Sequence, residues 1–144
     1  LTTAPAVPLD GNFGLRAGDA TVLRAQRLGV PPNVHVTIDL EATGHSTARD
    51  VVAYVQARAV TIAAAGFANM LYVGAGQPLN GQELYSLKPD RYWHAGSRSI
   101  AEPPCGFAVL QLSRLDRIIH GQQVDVDVTQ EDFRGRLPIF WGGG

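Results

Sequence analysis

Residues 35 to 44 read HVTIDLEATG and place two carboxylates, Asp39 and Glu41, at the end of an apolar, β-branched run. Side chains alternate along a strand, so Asp39 and Glu41 share a face while Leu40 points the other way. Two carboxylates this close repel when both are ionised, and the more desolvated of them keeps its proton to a higher pH. Glycoside hydrolysis needs that split: one protonated acid for the leaving oxygen and one carboxylate for the developing cation. Asp125 and Asp127, in QVDVDV, repeat the alternation. Other readings compete. A D-x-E triplet is short and common, and acids at a strand end are often simply solvated. Asp125 and Asp127 would equally cap a helical turn starting near Thr129.

The elements that must position these acids follow from periodicity and end signals. Residues 1 to 14, rich in Pro, Gly and Thr, read as a loop, with Asp10 inside it. A helix is expected from Asp19, as its cap, to Leu28, with Gly29 ending it. VHVTIDL is the first strand. Residues 47 to 65 form the clearest helix. Thr47 and Asp50 make a capping box, and Val51, Val55, Ala59 and Ile62 make one apolar stripe that Gly66 terminates. Further strands are expected at 70–74, 91–95, 107–113 and 123–128. A short helix is expected at 78–87 and a polar helical turn at TQEDF, 129 to 133.

Strands separated by helices or long crossovers predict parallel pairing and an α/β fold. In such folds ligands bind at the carboxyl ends of the strands. That is where Asp39-Leu40-Glu41, Gly74-Ala75-Gly76, Trp93-His94 and Asp125-Val126-Asp127 fall. Gly74-Ala75-Gly76 lacks the full dinucleotide fingerprint, and no cofactor is expected. Trp93 reads as core or as a sugar platform. His45 and His94 read as surface or hydrogen-bonded core residues.

Composition narrows the class. The chain has 144 residues, 45% hydrophobic and 17% charged, enough for one core. A net charge of −1 leaves no electrostatic footprint for nucleic acid or an anionic membrane, and no apolar run is long enough to span a bilayer. Cys105 is alone, so no internal disulfide forms; it reads as a small buried hydrophobe rather than a nucleophile. The start, LTTAPAVPLDG, has neither Met nor the pattern of a signal peptide, which suggests a processed chain or a fragment. Residues 1 to 141 read as one domain and 142 to 144 as a flexible Gly tail.

The motif order resembles a known family. Ile38-Asp39-Leu40-Glu41 is followed by a strand entered at Gly66 and closing on Tyr72-Val73-Gly74. Then come Tyr92-Trp93-His94-Ala95, Leu110-Gln111-Leu112 and Val124-Asp125-Val126-Asp127. This series resembles the glycoside hydrolase family 25 lysozymes and the bacterial glycoside-hydrolase-like domains related to them, from about Gly11 to Phe133. The resemblance implies a (β/α)8 TIM-like barrel that cleaves the glycan of peptidoglycan, here without its first strands and with about five parallel strands present. It implies Glu41 as general acid and Asp39 as its partner carboxylate. Asp125 becomes the acid of the last strand, while Tyr72, Trp93, Gln111 and Asp127 line the sugar groove. Family members carry a further acid on an earlier strand, which has no counterpart before Asp39. They also more often show W-Q-Y where this chain has L-Q-L.

The leading expectation is therefore a muramidase-like hydrolase acting outside the cell or at the wall. Its partners are peptidoglycan or a related glycan, and a second chain or further segment that completes the barrel. The alternative is a non-catalytic carbohydrate-binding or structural domain on the same fold. A metal-dependent hydrolase using Asp39, Glu41, His94 and Asp125 lacks any strong ligand spacing, and no metal is expected.

Overall fold

The computed structural model describes residues 9–97, 99–112 and 117–142. Residues 1–8 of the expected N-terminal loop, Ser113 of the expected fourth strand and residues 143–144 of the expected tail lie outside them.

Helix α1 (Gly11–Arg27) starts well before the expected Asp19. Its cap is Asp10, which holds an extended backbone and accepts a hydrogen bond from the Phe13 amide at 2.6 Å. Asp19 is an exposed position inside the helix. The stretch GNFGLRAG is a poor helix former, and tertiary packing overrides propensity there. Gly14 and Gly18, one turn apart, are buried against helix α2 (Ala48–Ala64). A Cβ at Gly14 would collide with the Tyr54 carbonyl oxygen, and one at Gly18 would sit 2.7 Å from Thr61 Cβ. The α2 expectations hold. Both halves of the Thr47–Asp50 capping box form, Val51, Val55 and Ile62 are buried, and Gly66 follows the helix end with φ +87°.

Strands β1 (His35–Leu40), β2 (Ala68–Val73), β3 (Arg91–His94) and β4 (Val109–Gln111) pair in parallel in that order. Helix α3 (Gly81–Ser86), capped by Asn80, joins β2 to β3. The expected fifth parallel strand at 123–128 is not formed as such. Residues 117–124 make a hairpin of β5 (Arg117–Ile119) and β6 (Gln122–Val124), turning at His120 and Gly121, both with positive φ. Strand β7 (Asp127–Thr129) then joins the main sheet antiparallel to β4, giving the order β1-β2-β3-β4-β7. A parallel return needs a crossover, usually a helix, and the described part of this connection is a hairpin instead. Nor is there a helical turn at 129–133. The buried Asp132 carboxylate accepts from the backbone amides of Arg134 and Arg136 and pairs with the Arg136 side chain at 2.7 Å, which stabilises a turn.

The protein is thus a mixed α/β fold with a mostly parallel five-stranded sheet, and the sheet does not close into a barrel. The helices cover one face. Ile38, Leu40, Leu71, Val73 and Tyr92 pack there with Val51, Val55, Ile62 and Leu84. Thr37, Asp39, Tyr72, Trp93 and Gln111 alternate onto the other face. The C-terminal segment returns to the start of the sheet, where the His35 amide donates to the Ile139 carbonyl and Arg91 donates to the Leu137 carbonyl. Among the described residues no helix is long and apolar enough to cross a membrane.

Replacing glycine by alanine inside a helix normally stabilises by about 1 kcal/mol. Gly14→Ala should do the reverse, because the added methyl meets α2 backbone, and overpacking costs about 1–3 kcal/mol. A urea midpoint lowered by the substitution is the expected result. A raised midpoint would show that α1 and α2 do not touch there.

Candidate functional site

The first strand ends where its apolar alternation stops being useful. Ile38 and Leu40 are each 1% exposed on the helix-covered face, which leaves Asp39, and Glu41 just beyond the strand, facing the open side. Glu41 is placed by a loop clip. The Ala42 amide donates to the Ala75 carbonyl at 2.8 Å, and the Thr43 amide and hydroxyl both donate to the Gly76 carbonyl. Ala42 takes a left-handed φ of +47°, a conformation that disfavours L-residues and that the clip enforces. The Glu41 side chain lies across Gly74, where a Cβ would collide with Glu41 Cβ and Oε2. Gly74 is therefore a space for the acid, which the dinucleotide-fingerprint comparison did not capture.

Tyr72 is the register partner of Asp39 on β2, and Trp93 is the partner of Tyr72 on β3. Their rings meet edge to face at 5.3 Å. The Tyr72 hydroxyl donates to Gln111 Oε1 at 2.8 Å, and the Trp93 indole N–H donates to Asp127 Oδ1 at 3.0 Å. Gln111 ends β4 and pairs with Asp127, which starts β7. Antiparallel β7 thus delivers Asp127 to the same mouth, at its beginning rather than its end. Asp125 lies in the link before it. All seven residues singled out in the sequence, Asp39, Glu41, Asp125, Tyr72, Trp93, Gln111 and Asp127, line one cleft of about 320 Å³, together with Thr37. Thr37 was missed; it stands one alternation before Asp39, and that spacing was the available signal.

Burial in this cleft raises the Asp39 pKa, against the opposing charge of Arg58. Burial also raises Asp127, opposed by the Trp93 hydrogen bond and helped by the Asp125 charge. Tyr72 is pushed up to about 12, first by desolvation and then by Glu41, Asp39, Asp125 and Asp127. It therefore stays a neutral hydrogen-bond donor rather than a base or nucleophile.

The remaining sequence candidates lie elsewhere. His94 turns to the helix-covered side, packs edge-on against Phe107 and accepts from the Gly96 amide at 2.9 Å. Cys105 is buried, and burial raises its pKa, so the thiol is not activated. Among the described residues no group of three or more His, Cys, Asp or Glu is arranged to hold a metal ion.

No family model matches the chain, and no curated protein matches it. Among solved structures it is similar to an uncharacterized B. stearothermophilus protein known from a crystal structure, with a TM-score of 0.58 and 20% identity over 85% of this chain. The chain spans 65% of the length of that protein. At this identity the likeness shows the fold alone.

The raised Asp39 pKa fixes the sign of a stability effect. Its folded value exceeds its unfolded one, so its contribution is full below the unfolded pKa, about 3.9, and is lost as pH rises through the folded value. Asp39→Asn should therefore raise the urea midpoint at pH 7 and leave it close to the parent's at pH 3. Equal shifts at both pH values would contradict a desolvated Asp39.

Proposed function

We propose that this cleft is the site of a glycoside hydrolase directed at peptidoglycan or a related glycan. The observation that carries the reading is the lining itself: four carboxylates and an edge-to-face Tyr72–Trp93 pair in one cleft at the carboxyl end of a parallel sheet. Apolar ring edges and faces suit the C–H faces of a pyranose, and the acids suit its hydroxyls and the developing cation. Glu41, at the rim over Gly74, gives the proton to the leaving oxygen. Asp39, on β1, is the partner that orients the substrate's acetamido group or stabilises the cation as a carboxylate; its raised pKa runs against this split, so it takes the role only once ionised. Asp125 faces them from the link before β7. Trp93, Tyr72 and Gln111 hold the sugar, and Asp127 fixes the Trp93 ring through its indole N–H.

On this reading the sheet is an arc of a (β/α)8 barrel like that of the family 25 lysozymes. Helices on one face only, with a polar cleft on the other, support it. Another chain or segment would complete the barrel, and the protein would act at or beyond the cell surface. The open sheet also favours a second reading: a glycan-binding domain without turnover on the same fold.

Turbidity clearance of purified bacterial cell walls separates the two. Glu41→Gln should lower clearance at least about 100-fold, the usual worth of a general acid, with the urea midpoint kept. The rate should rise with pH through the raised Asp39 pKa, which puts the acidic limb of the profile above the ordinary Asp value of about 3.9. A parent protein that binds cell walls without clearing them, and loses that binding on Trp93→Ala, would establish the second reading.

A further inference from the structure

β1 is an edge strand. A second groove of about 400 Å³ is lined by residues of α1, the start of β1, Arg58 of α2, and Phe140 and Trp141 of the C-terminal segment. Its charged lining is basic, Arg24 and Arg58. Arg58 is held rigidly, donating to the Tyr54 hydroxyl at 2.7 Å and to the Thr21 hydroxyl at 3.1 Å, and its Nε–H is buried without a partner. The Arg24 guanidinium makes no ion pair among the described residues.

His35 is 9% exposed and lines the same groove. Its Nδ1 meets both backbone groups of Ile139, the amide at 2.8 Å and the carbonyl at 3.3 Å, so the tautomer sets whether Nδ1 accepts or donates there. Nε2 is buried and has no partner. Burial lowers the His35 pKa, which favours the neutral ring. Among the described residues no carboxylate lines the groove. The buried Arg58 Nε–H without an acceptor is costly, and a ligand that brings an acceptor satisfies it.

We propose that this groove binds an oxyanion, a phosphate or carboxylate, carried on an aromatic body that rests against Phe140 and Trp141. Arg24 and Arg58 supply the charge, and planar guanidinium groups match oxyanion geometry. The aromatic walls supply the contact for the body. The groove shares no lining residue with the acidic cleft, although the Arg58 charge reaches Asp39 there, and the proposal does not depend on the reading given to that cleft.

The chain has two tryptophans, so Trp93→Phe leaves Trp141 as the sole reporter. Phenyl phosphate added to this variant should change the Trp141 emission saturably. Inorganic phosphate and benzyl alcohol, each lacking one half of the ligand, should bind at least about tenfold more weakly. Arg24 is exposed, so Arg24→Gln should keep the urea midpoint and weaken phenyl phosphate at least about tenfold. Adding Glu41→Gln should leave the titration unchanged, which keeps this result independent of glycan cleavage. The proposal is overturned by the absence of a saturable change, by benzyl alcohol or inorganic phosphate binding as tightly as phenyl phosphate, or by an unaffected Arg24→Gln.

Discussion

The parallel register between β1 and β2 positions everything else. Six residue pairs, from His35–Ala68 to Leu40–Val73, put Ile38, Leu40, Leu71 and Val73 under the helices and Thr37, Asp39 and Tyr72 on the open side. A slip of β1 by one residue would turn its two faces over. It would expose the nearly fully buried Ile38 and Leu40, each worth about 1.5–3 kcal/mol of burial, and press Asp39 into the core. Hydrophobic burial therefore fixes where the acid stands, although the acid contributes nothing to that burial.

The cleft is assembled at some cost to stability. Desolvation raises Asp39 and Asp127, and Ala42 holds a left-handed backbone beside Glu41. The surroundings over-determine this arrangement. The loops after β1 and β2 are clipped through Ala42–Ala75 and Thr43–Gly76, Gly74 makes room for Glu41, and hydrogen bonds to Gln111 and Asp127 restrain Tyr72 and Trp93. Functional sites are where such local conflicts are expected to survive. The same strand separates two opposite chemistries. Acids gather at its carboxyl end, and the groove at its start is lined by Arg24 and Arg58.

Local signals in the sequence determined the central helix, its Thr47–Asp50 box, its buried stripe and its stop at Gly66. Hydrophobic and β-branched runs determined the four parallel strands, and period-two alternation put Asp39 and Glu41 on one side. These features depend on neighbours a few residues away, so one sequence suffices to read them. The start of α1 was decided by tertiary structure, because GNFGLRAG becomes helical only where Gly14 and Gly18 let it approach α2. The direction of β7 was likewise settled beyond the sequence pattern: VDVDV alternates equally well either way, and the β5–β6 hairpin lies in the connection that brings it back antiparallel. Whether Trp93 is core or site was also a tertiary matter, since its indole needed Asp127 as an acceptor 34 residues away. The basic groove left no trace in any motif, because its members come from two helices, an edge strand and the C-terminal segment, and only packing brings them together.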